Sequence, residues 1–251
     1  EFSSYTSLQE SDWALNISTN LSNNVWPDEC VRCELSEQSN NESVRIQSNK
    51  LHKEYYDINP NYLILGGMLD NKCNSACQSC NANSSTLIGK LNHTPVKINN
   101  YNKILPYLDD VVQLDINGGE PTISNTYKKL LSKINSNASV RINTNAITFF
   151  SEIIALLENN RKVTVTMSLD GVGNVHDYVR WPAKWTVVKK VHTQYKSLAN
   201  KYSNLDLNFW ITLSALNIGN FDDIVSYASN LNIPYSYGIL QTPNELNIKY
   251  N

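Results

Sequence analysis

Cysteine is scarce in this sequence, with five residues among 251, and three of the five fall within the stretch Asn71–Cys80. Those three, Cys73, Cys77 and Cys80, are spaced C-x3-C-x2-C. Three thiols cannot form a closed set of disulfides, and they are one short of the four ligands of a tetrahedral metal site. The scarcity and the clustering argue against a secreted disulfide scaffold and favour metal ligation in a reducing, cytoplasmic compartment.

Long apolar runs and an excess of one charge are also missing. No run approaches the roughly 20 apolar residues that a membrane-spanning helix needs, so we expect no membrane anchor. The formal net charge is −2, which gives no basic field to attract nucleic acid or an acidic membrane surface. The first residues, EFSSYTSLQESDW, have neither a basic nor an apolar segment of the kind found in signal peptides.

The composition changes along the chain. The first 55 residues are rich in Ser, Asn, Gln and Glu, with Trp13 and Trp26 as isolated large apolar side chains. We therefore predict a small irregular N-terminal segment over residues 1–55 and one larger α/β domain over residues 56–251. Apolar residues make up 41% of the chain, which is enough for a proper core in that domain.

From Tyr62 onward, predicted strands alternate with predicted helices. The strands are predicted at 62–69, 111–116, 139–145, 162–170, 205–215 and 233–240. Helix-like segments follow at 124–135, 147–160, 184–202 and 220–232, with Ser124 and Asn220 as N-caps. Repeated strand–helix–strand units indicate a parallel sheet, and about six of them predict a partial or full β/α barrel, with a doubly wound open sheet as the alternative.

Polar residues and glycines follow the ends of these predicted strands, where either architecture builds its site. In chain order they are Cys73, Cys77 and Cys80; Gly118, Gly119, Glu120 and Pro121; Thr144 and Asn145; Ser168, Asp170 and Gly171; and His176, Asp177 and Arg180. We therefore expect them to converge on one site.

These residue types suit one kind of ligand. Three thiolates can hold three irons of a [4Fe–4S] cluster and leave the fourth iron open. Gly118 and Gly119 permit close backbone approach, and Glu120 can accept a hydrogen bond from an ammonium group. Arg180 can bind a carboxylate through a bidentate fork. An amino group and a carboxylate together describe an amino acid such as methionine.

The chain resembles the radical S-adenosylmethionine (SAM) enzymes, over about residues 60–245. The C-x3-C-x2-C motif after the first strand, the GGEP sequence of residues 118–121 and the SLDG sequence of residues 168–171 carry the resemblance. It implies a partial (β/α)6 barrel and a [4Fe–4S] cluster bound by the three cysteines. It also implies SAM bound near Gly118, Gly119, Glu120, Asn145, Ser168, Asp170 and Arg180.

The resemblance further implies reductive cleavage of SAM to a 5′-deoxyadenosyl radical, which abstracts a substrate hydrogen. The run from Ser168 to Arg180 is similar to that of members with SPASM or twitch auxiliary modules, many of which modify peptides. We therefore predict a peptide or protein side chain as substrate, oxidoreductase or maturase-type transferase chemistry, and an electron donor such as flavodoxin or ferredoxin. No catalytic residue is assigned. The alternatives are a radical SAM enzyme acting on a sugar, nucleoside or lipid head group, and a non-catalytic zinc-binding module.

Cys30 and Cys33 form a second cysteine pair with a metal-ligand spacing. The pattern W-P-x-x-C-x-x-C-x-x-x-E, followed by S-x-R, resembles a SPASM-type auxiliary segment that contributes to a second iron–sulfur cluster. Two thiols do not complete such a site, and the missing ligands could lie before Glu1, which is not a Met, or after Asn251. A four-thiolate zinc site formed by Cys30, Cys33 and two of the other cysteines is the competing interpretation.

One position departs from the radical SAM pattern. Many family members have an aromatic residue directly before the last cysteine of the motif, close to the adenine, and this chain has Ser79 there. We therefore expect the adenine to rest on other groups, near residues 213–216 or 237–240.

Overall fold

The computed structural model describes residues 10–39, 41–56, 62–94 and 101–250, with the backbone alone at 54, 56 and 101–103. These residues form two compact units. The first unit extends to Tyr62 and also includes Asn102–Asp110, whereas the sequence predicted a boundary between residues 55 and 56. The second unit contains the rest of the chain.

The first unit is made of short helices. They are α1 (Asp12–Ser22), α2 (Val31–Gln38), α3 (Val44–Leu51), α4 (Lys53–Tyr56) and most of a 3₁₀ helix at Tyr101–Asp110. Two of these helices begin at serine N-caps, since Ser11 accepts a hydrogen bond from the Ala14 amide and Ser43 accepts one from the Ile46 amide. Such caps satisfy backbone donors that have no partner within the helix.

The second unit is a six-stranded parallel sheet with intervening helices. Its strands are β1 (Leu63–Met68), β2 (Val111–Asn117), β3 (Ser139–Thr144), β4 (Val163–Ser168), β5 (Leu205–Leu213) and β6 (Tyr235–Ile239). Its helices are α5 (Thr86–Leu91), α6 (Asn125–Leu131), α7 (Glu152–Glu158), α8 (Asn174–Val179), α9 (Trp185–Lys201) and α10 (Phe221–Asn230). The strands pair in sequence order and form a half-barrel, so the predicted partial (β/α)6 fold is confirmed.

Alternation along the strands separates the two faces of the sheet. In β4, Val163, Val165 and Met167 are fully buried, while Thr164 and Thr166 between them are partly exposed. The apolar side chains form the core with the surrounding helices, as they do where Phe209 of β5 packs edge-on against His192 of α9. The opposite, concave face of the sheet carries polar side chains from β2 to β6.

One of the two predicted N-caps is confirmed. The Ser124 hydroxyl accepts a hydrogen bond from the Tyr127 amide at the start of α6. Asn220 lies at the N-cap position of α10, but its side chain does not cap that helix. Its oxygen accepts instead from the Val172 amide, in the loop after β4, over 2.7 Å. This bond satisfies a backbone donor of that loop. Among the described residues, no helix has the length and apolar character needed to span a bilayer.

Candidate functional site

A cavity of about 650 Å³ opens at the carboxyl ends of the strands in the second unit. Its volume falls in the range of ligand-binding pockets, about 300–1,000 Å³. The lining residues are Cys73, Ser75, Cys77, Cys80, Ser84, Asn117, Gly118, Gly119, Arg141, Asn143, Thr144, Asn145, Thr166, Ser168, Arg180, Asn208, Trp210 and Ser236. All three cysteines of the loop after β1 therefore share one cavity with half of the other residues predicted at strand ends.

Hydrogen bonds at both ends hold the cysteine loop in place. At its start, the Cys73 amide donates to the Thr86 hydroxyl over 3.0 Å, and that hydroxyl donates back to the Cys73 carbonyl. The Ser85 hydroxyl donates to the Ser75 carbonyl over 2.6 Å. Farther along, the Ala76 amide donates to the Trp181 carbonyl, which follows α8. The Gln78 amide donates to the carbonyl of the last residue of α8, Val179. The loop is thus fixed before any ligand binds.

The donor set of this loop fits an iron–sulfur cluster. Cys73 and Cys77 are half-buried and Cys80 is exposed, and all three are free thiols. Burial raises the pKa of Cys73 to about 11, so this thiol is protonated at neutral pH unless a cation binds it. Three free thiols that line one cavity suit a cluster, in which each thiolate binds a different iron.

Gly118 and Gly119 lie where only glycine fits, but the group that approaches them is protein. Both have positive φ angles, +79° and +52°. A Cβ atom on Gly118 would overlap the Met68 side chain, and one on Gly119 would lie 2.5 Å from the Lys72 carbonyl oxygen. The next residue confirms the close contact, since the Glu120 amide donates to that same carbonyl over 2.7 Å. The glycines therefore bring the end of β2 against the start of the cysteine loop.

The Glu120 carboxylate lies behind the cavity wall. It is 1% exposed and is absent from the lining. Its oxygens accept from the Thr144 hydroxyl over 2.7 Å, from the Asn145 amide over 2.6 Å and from the Thr122 amide. Burial raises its pKa, against the effect of these hydrogen bonds. From the sequence we expected a ligand ammonium to donate to this carboxylate. In the structure its donors are Thr144 of β3 and the backbone amides of Asn145 and Thr122.

Asp170 also lies behind the wall, where it holds Arg180. Its Oδ2 accepts from Arg180 Nη1 over 2.5 Å, and its Oδ1 accepts from the Thr212 amide over 2.7 Å. The Arg180 side chain lines the cavity with 11% of its surface exposed. Burial alone would lower the pKa of Arg180, but Cys77 and Asp170 outweigh burial and raise it. Arg180 Nε is buried without a hydrogen-bond partner among the described residues.

Asn145 connects β3 to the cysteine loop. Its side-chain nitrogen donates to Asn74 Oδ1 over 2.8 Å and to the Ser75 hydroxyl over 3.0 Å, and its oxygen accepts from the Ile147 amide. These contacts use the whole side-chain amide. Ser168, at the end of β4, lines the cavity directly.

The sequence did not identify several lining residues, because they lie within strands rather than after them. They are Arg141, Asn143, Thr166, Asn208, Trp210 and Ser236. Period-two alternation marks them as one face of the sheet, but it does not say that this face is concave and open. The segments 213–216 and 237–240, which we expected beside an adenine, are absent from the lining, and Trp210 supplies an aromatic ring there.

Cys30 and Cys33 belong to the first unit, and the residues of their sequence pattern contact one another. Arg45 donates to both carboxylate oxygens of Glu37, over 3.1 and 2.5 Å, and its guanidinium lies 4.9 Å from the Trp26 ring centroid. The Arg45 guanidinium beside Glu37 lowers the pKa of that carboxyl. Cys30 and Cys33 are both half-buried free thiols. The tryptophan, glutamate and arginine of the pattern thus form a single cluster.

No protein-family model and no curated protein matches the chain. Solved structures do match. SuiB from Streptococcus suis, bound to the precursor peptide SuiA, is 16% identical, with a TM-score of 0.56, over 98% of this chain and 55% of SuiB. The same protein bound to S-adenosylmethionine is 14% identical, with a TM-score of 0.53, over 94% of this chain and 56% of SuiB.

This likeness establishes the fold. SuiB is a radical SAM enzyme, and the chain has the radical SAM fold that its cysteine motif implied. The chain spans about half the length of SuiB.

Proposed function

We propose that this chain is a radical SAM enzyme that abstracts hydrogen from a peptide or protein side chain. One observation carries the proposal: Cys73, Cys77 and Cys80 line the same cavity as Arg180 and the backbone of Gly118 and Gly119. Thiols for a cluster and polar groups for an amino acid thus meet in one place, at the strand ends where parallel β/α folds act.

Cys73, Cys77 and Cys80 would bind the [4Fe–4S] cluster in this proposal. When bound, the cluster and SAM supply the electron and the 5′-deoxyadenosyl radical needed to abstract a substrate hydrogen. The chain holds the three thiols at fixed positions through Thr86 and Ser85, so the loop need not be ordered on loading.

Arg180 would bind the methionyl carboxylate of SAM. The part of its guanidinium that lines the cavity is available for this bond, while Asp170 accepts from Nη1 and keeps the group oriented. Gly118 and Gly119 present backbone to the methionyl amino group, and Ser168 lies close enough to the cavity to contact the ribose or methionyl group. Glu120, Asp170 and Asn145 act as positioning residues rather than as direct ligands of SAM.

A peptide or protein substrate is supported by the structural likeness to SuiB in complex with a precursor peptide. The net reaction, as an oxidoreductase or a maturase-type transferase, and an electron donor such as flavodoxin or ferredoxin are part of the same proposal. Cys30 and Cys33 are proposed to contribute to an auxiliary cluster, supported by the contacts among Trp26, Glu37 and Arg45 around them.

Anaerobic reconstitution with iron and sulfide, followed by reduction in the presence of SAM, tests the proposal. We expect release of 5′-deoxyadenosine, detected by mass spectrometry, and about four irons bound at this site. Cys77→Ala should abolish the product, because the cluster loses one of its three protein ligands. Cys30→Ala is the matched control, and it should leave the product unchanged in the absence of substrate.

Binding of zinc alone, with no 5′-deoxyadenosine, would instead support the zinc-module alternative. Incubation of the active protein with cell extract then separates peptide from small-molecule substrates, through the mass of whichever component is modified.

A further inference from the structure

Most strand side chains that line the cavity carry amide, hydroxyl or guanidinium groups, among them Asn117, Arg141, Asn143, Thr166, Asn208 and Ser236, and Trp210 adds an aromatic ring. Asn143, Thr166 and Asn208 are register neighbours on β3, β4 and β5, so they form a continuous row. A surface of this kind binds a hydrophilic group, since an apolar one would leave these donors and acceptors unpaired.

Arg141 lies deeper in the half-barrel than the groups proposed to bind SAM. It precedes Thr144, the last residue of β3, by three positions, which is about 10 Å along a strand. Its register neighbours are Asp115 on β2 and Thr164 on β4, and neither reaches the cavity lining. The long arginine side chain therefore extends from a lower row of the sheet into the cavity.

The Arg141 guanidinium has no hydrogen bond and no ion pair within the described part of the chain. The two other arginines of the second unit differ: Arg161 donates to two backbone carbonyls, and Arg180 is paired with Asp170. The adjacent Asp115 carboxylate accepts instead from Gln113 Nε2 over 3.0 Å. Arg141 is thus a cation in a ligand-sized cavity whose hydrogen-bond donors have no protein partner.

We infer that the substrate carries a carboxylate or phosphate group and that Arg141 binds it. This inference rests on the proposed function, and it narrows the substrate class to anionic molecules, such as peptides with an acidic or phosphorylated side chain. The planar guanidinium presents parallel donors that match the paired oxygens of such groups. The position of Arg141, well below the strand ends, would place this anion on the far side of the cavity from the cysteine loop.

Two acidic residues share the lower row with Arg141, namely Asp115 and Asp206, which is the register neighbour of Thr164. A purely structural role for Arg141 would be to offset their charge. In that case, removal of the guanidinium would lower the stability of the fold without changing selectivity for ligands. Stability and selectivity must therefore be measured on the same variants.

The test is an affinity selection on the cluster-loaded protein with SAM bound and no reductant. The probes are capped tripeptides, acetyl-Gly-X-Gly-amide, in which X is Asp, Glu, phosphoserine, Asn, Gln or Ser, mixed in equal amounts. The bound fraction of each is measured by mass spectrometry, with inorganic phosphate as a competitor. We expect the wild type to retain acidic or phosphorylated peptides over their neutral counterparts by about tenfold, the effect of one charge-assisted pair.

Arg141→Gln should remove that selectivity, and Arg141→Lys should keep part of it, because lysine retains the charge but not the fork. Lys189→Gln makes the same change of charge at an exposed position of α9 and should behave as the wild type. Thermal unfolding of each variant shows whether it is folded. A wild-type preference for the Glu peptide over the phosphoserine peptide, or the reverse, identifies whether Arg141 binds a carboxylate or a phosphate. If inorganic phosphate competes for the site but no acidic or phosphorylated peptide is retained, a phosphorylated small molecule is favoured as the substrate.

Equal retention of acidic and neutral peptides by the wild type, or unchanged selectivity in Arg141→Gln, would overturn the inference. The proposed function fails separately, through the absence of 5′-deoxyadenosine from the reduced wild type. Since the selection involves no turnover, the two failures cannot be confused.

Discussion

At the scale of single residues, the paired guanidinium of Arg180 shows how one side chain can serve both the fold and a ligand. Asp170 holds Nη1, and Nε remains buried without a partner. A donor that is buried and unpaired costs free energy, which a bound carboxylate would recover. This residue therefore gives the most direct test of where SAM binds.

We predict that Arg180→Ala weakens SAM binding by about 1.5–3 kcal/mol, the range for a hydrogen bond to a charged group. It should leave the iron content unchanged, since the thiols have their own anchors. It should also lower the stability, because Asp170 is left as a buried carboxylate without its cation. Equilibrium dialysis with labelled SAM measures the affinity. Arg180→Lys is the control that keeps a cation beside Asp170, and wild-type affinity in the Ala variant would remove Arg180 from the SAM site.

At the scale of elements, the turn after β2 and the cysteine loop depend on each other. Gly119 packs against the Lys72 carbonyl, and the Glu120 amide donates to the same carbonyl. The adjacent Glu120 carboxylate then binds the end of β3 through Thr144 and Asn145. This short turn thus links the ends of β1, β2 and β3. It supports the site although the Glu120 carboxylate does not line the cavity.

We predict that Gly119→Ala displaces the cysteine loop and lowers cluster loading. The added Cβ would lie 2.5 Å from the Lys72 carbonyl oxygen, which is backbone and cannot rotate away, and φ is +52°. Gly173→Ala is the matched control: its φ is +63°, but nothing lies within 4 Å of its Cβ position. Both variants place a side chain at a residue with positive φ, but only Gly119→Ala also adds a steric clash with the Lys72 carbonyl oxygen. Iron per chain after reconstitution should therefore fall further in Gly119→Ala, and equal loading would contradict the coupling of turn and loop.

Helices α8 and α9 contain two buried histidines that make stability depend on pH. His176 and His192 are both fully buried, and burial lowers their pKa values from 6.5 to about 4 and about 3. The unfolded chain therefore binds more protons than the folded one below about pH 6.5, so stability falls as pH falls through that value and continues to fall toward the folded-state pKa values.

We predict a loss of about 2 kcal/mol per histidine in the free energy of unfolding between pH 7 and pH 5. Denaturant titrations across this range measure it. His192→Leu should flatten the profile, because it removes one titrating group from the core. The exposed His93 provides the control, and His93→Gln should leave the profile unchanged. A profile that stays as steep in His192→Leu would show that other groups control it.

At the scale of the whole molecule, the five cysteines are divided between two units. Cys73, Cys77 and Cys80 belong to the half-barrel, and Cys30 and Cys33 belong to the helical first unit. The half-barrel site has its full set of three thiols, whereas the pair in the first unit needs further ligands. The two sites are therefore expected to load with iron independently.

We predict that a longer form of the protein, with additional residues before Glu1 or after Asn251, binds one more cluster than residues 1–251. Changing both Cys30 and Cys33 to Ala in that longer form should remove one cluster. It should spare SAM cleavage in the absence of substrate and impair turnover of the true substrate. Iron and sulfide analysis gives the count, and an unchanged count in the double variant would refute the auxiliary cluster.

The sequence alone predicts the six strands, four helices of the second unit (α6, α7, α9 and α10) and the cysteine loop. The alternation of Val163, Thr164, Val165 and Thr166 specifies a strand with one buried face, because the period of two is a local property of the backbone. The spacing of the cysteines is equally local, and so is the capping of α6 by Ser124. These features can be read from the sequence because each depends on residues that are close together in the chain.

Which polar groups face the cavity depends on the tertiary structure. Glu120 finds its partners 24 and 25 residues away at the end of β3 and just after it, and Asp170 accepts from an amide 42 residues away, so both lie behind the cavity wall. Arg141 lines the cavity although its register neighbour Asp115 does not. The hydrogen-bond partners of buried polar groups depend on which strands lie side by side. Sequence periodicity carries no information about which strands are neighbours.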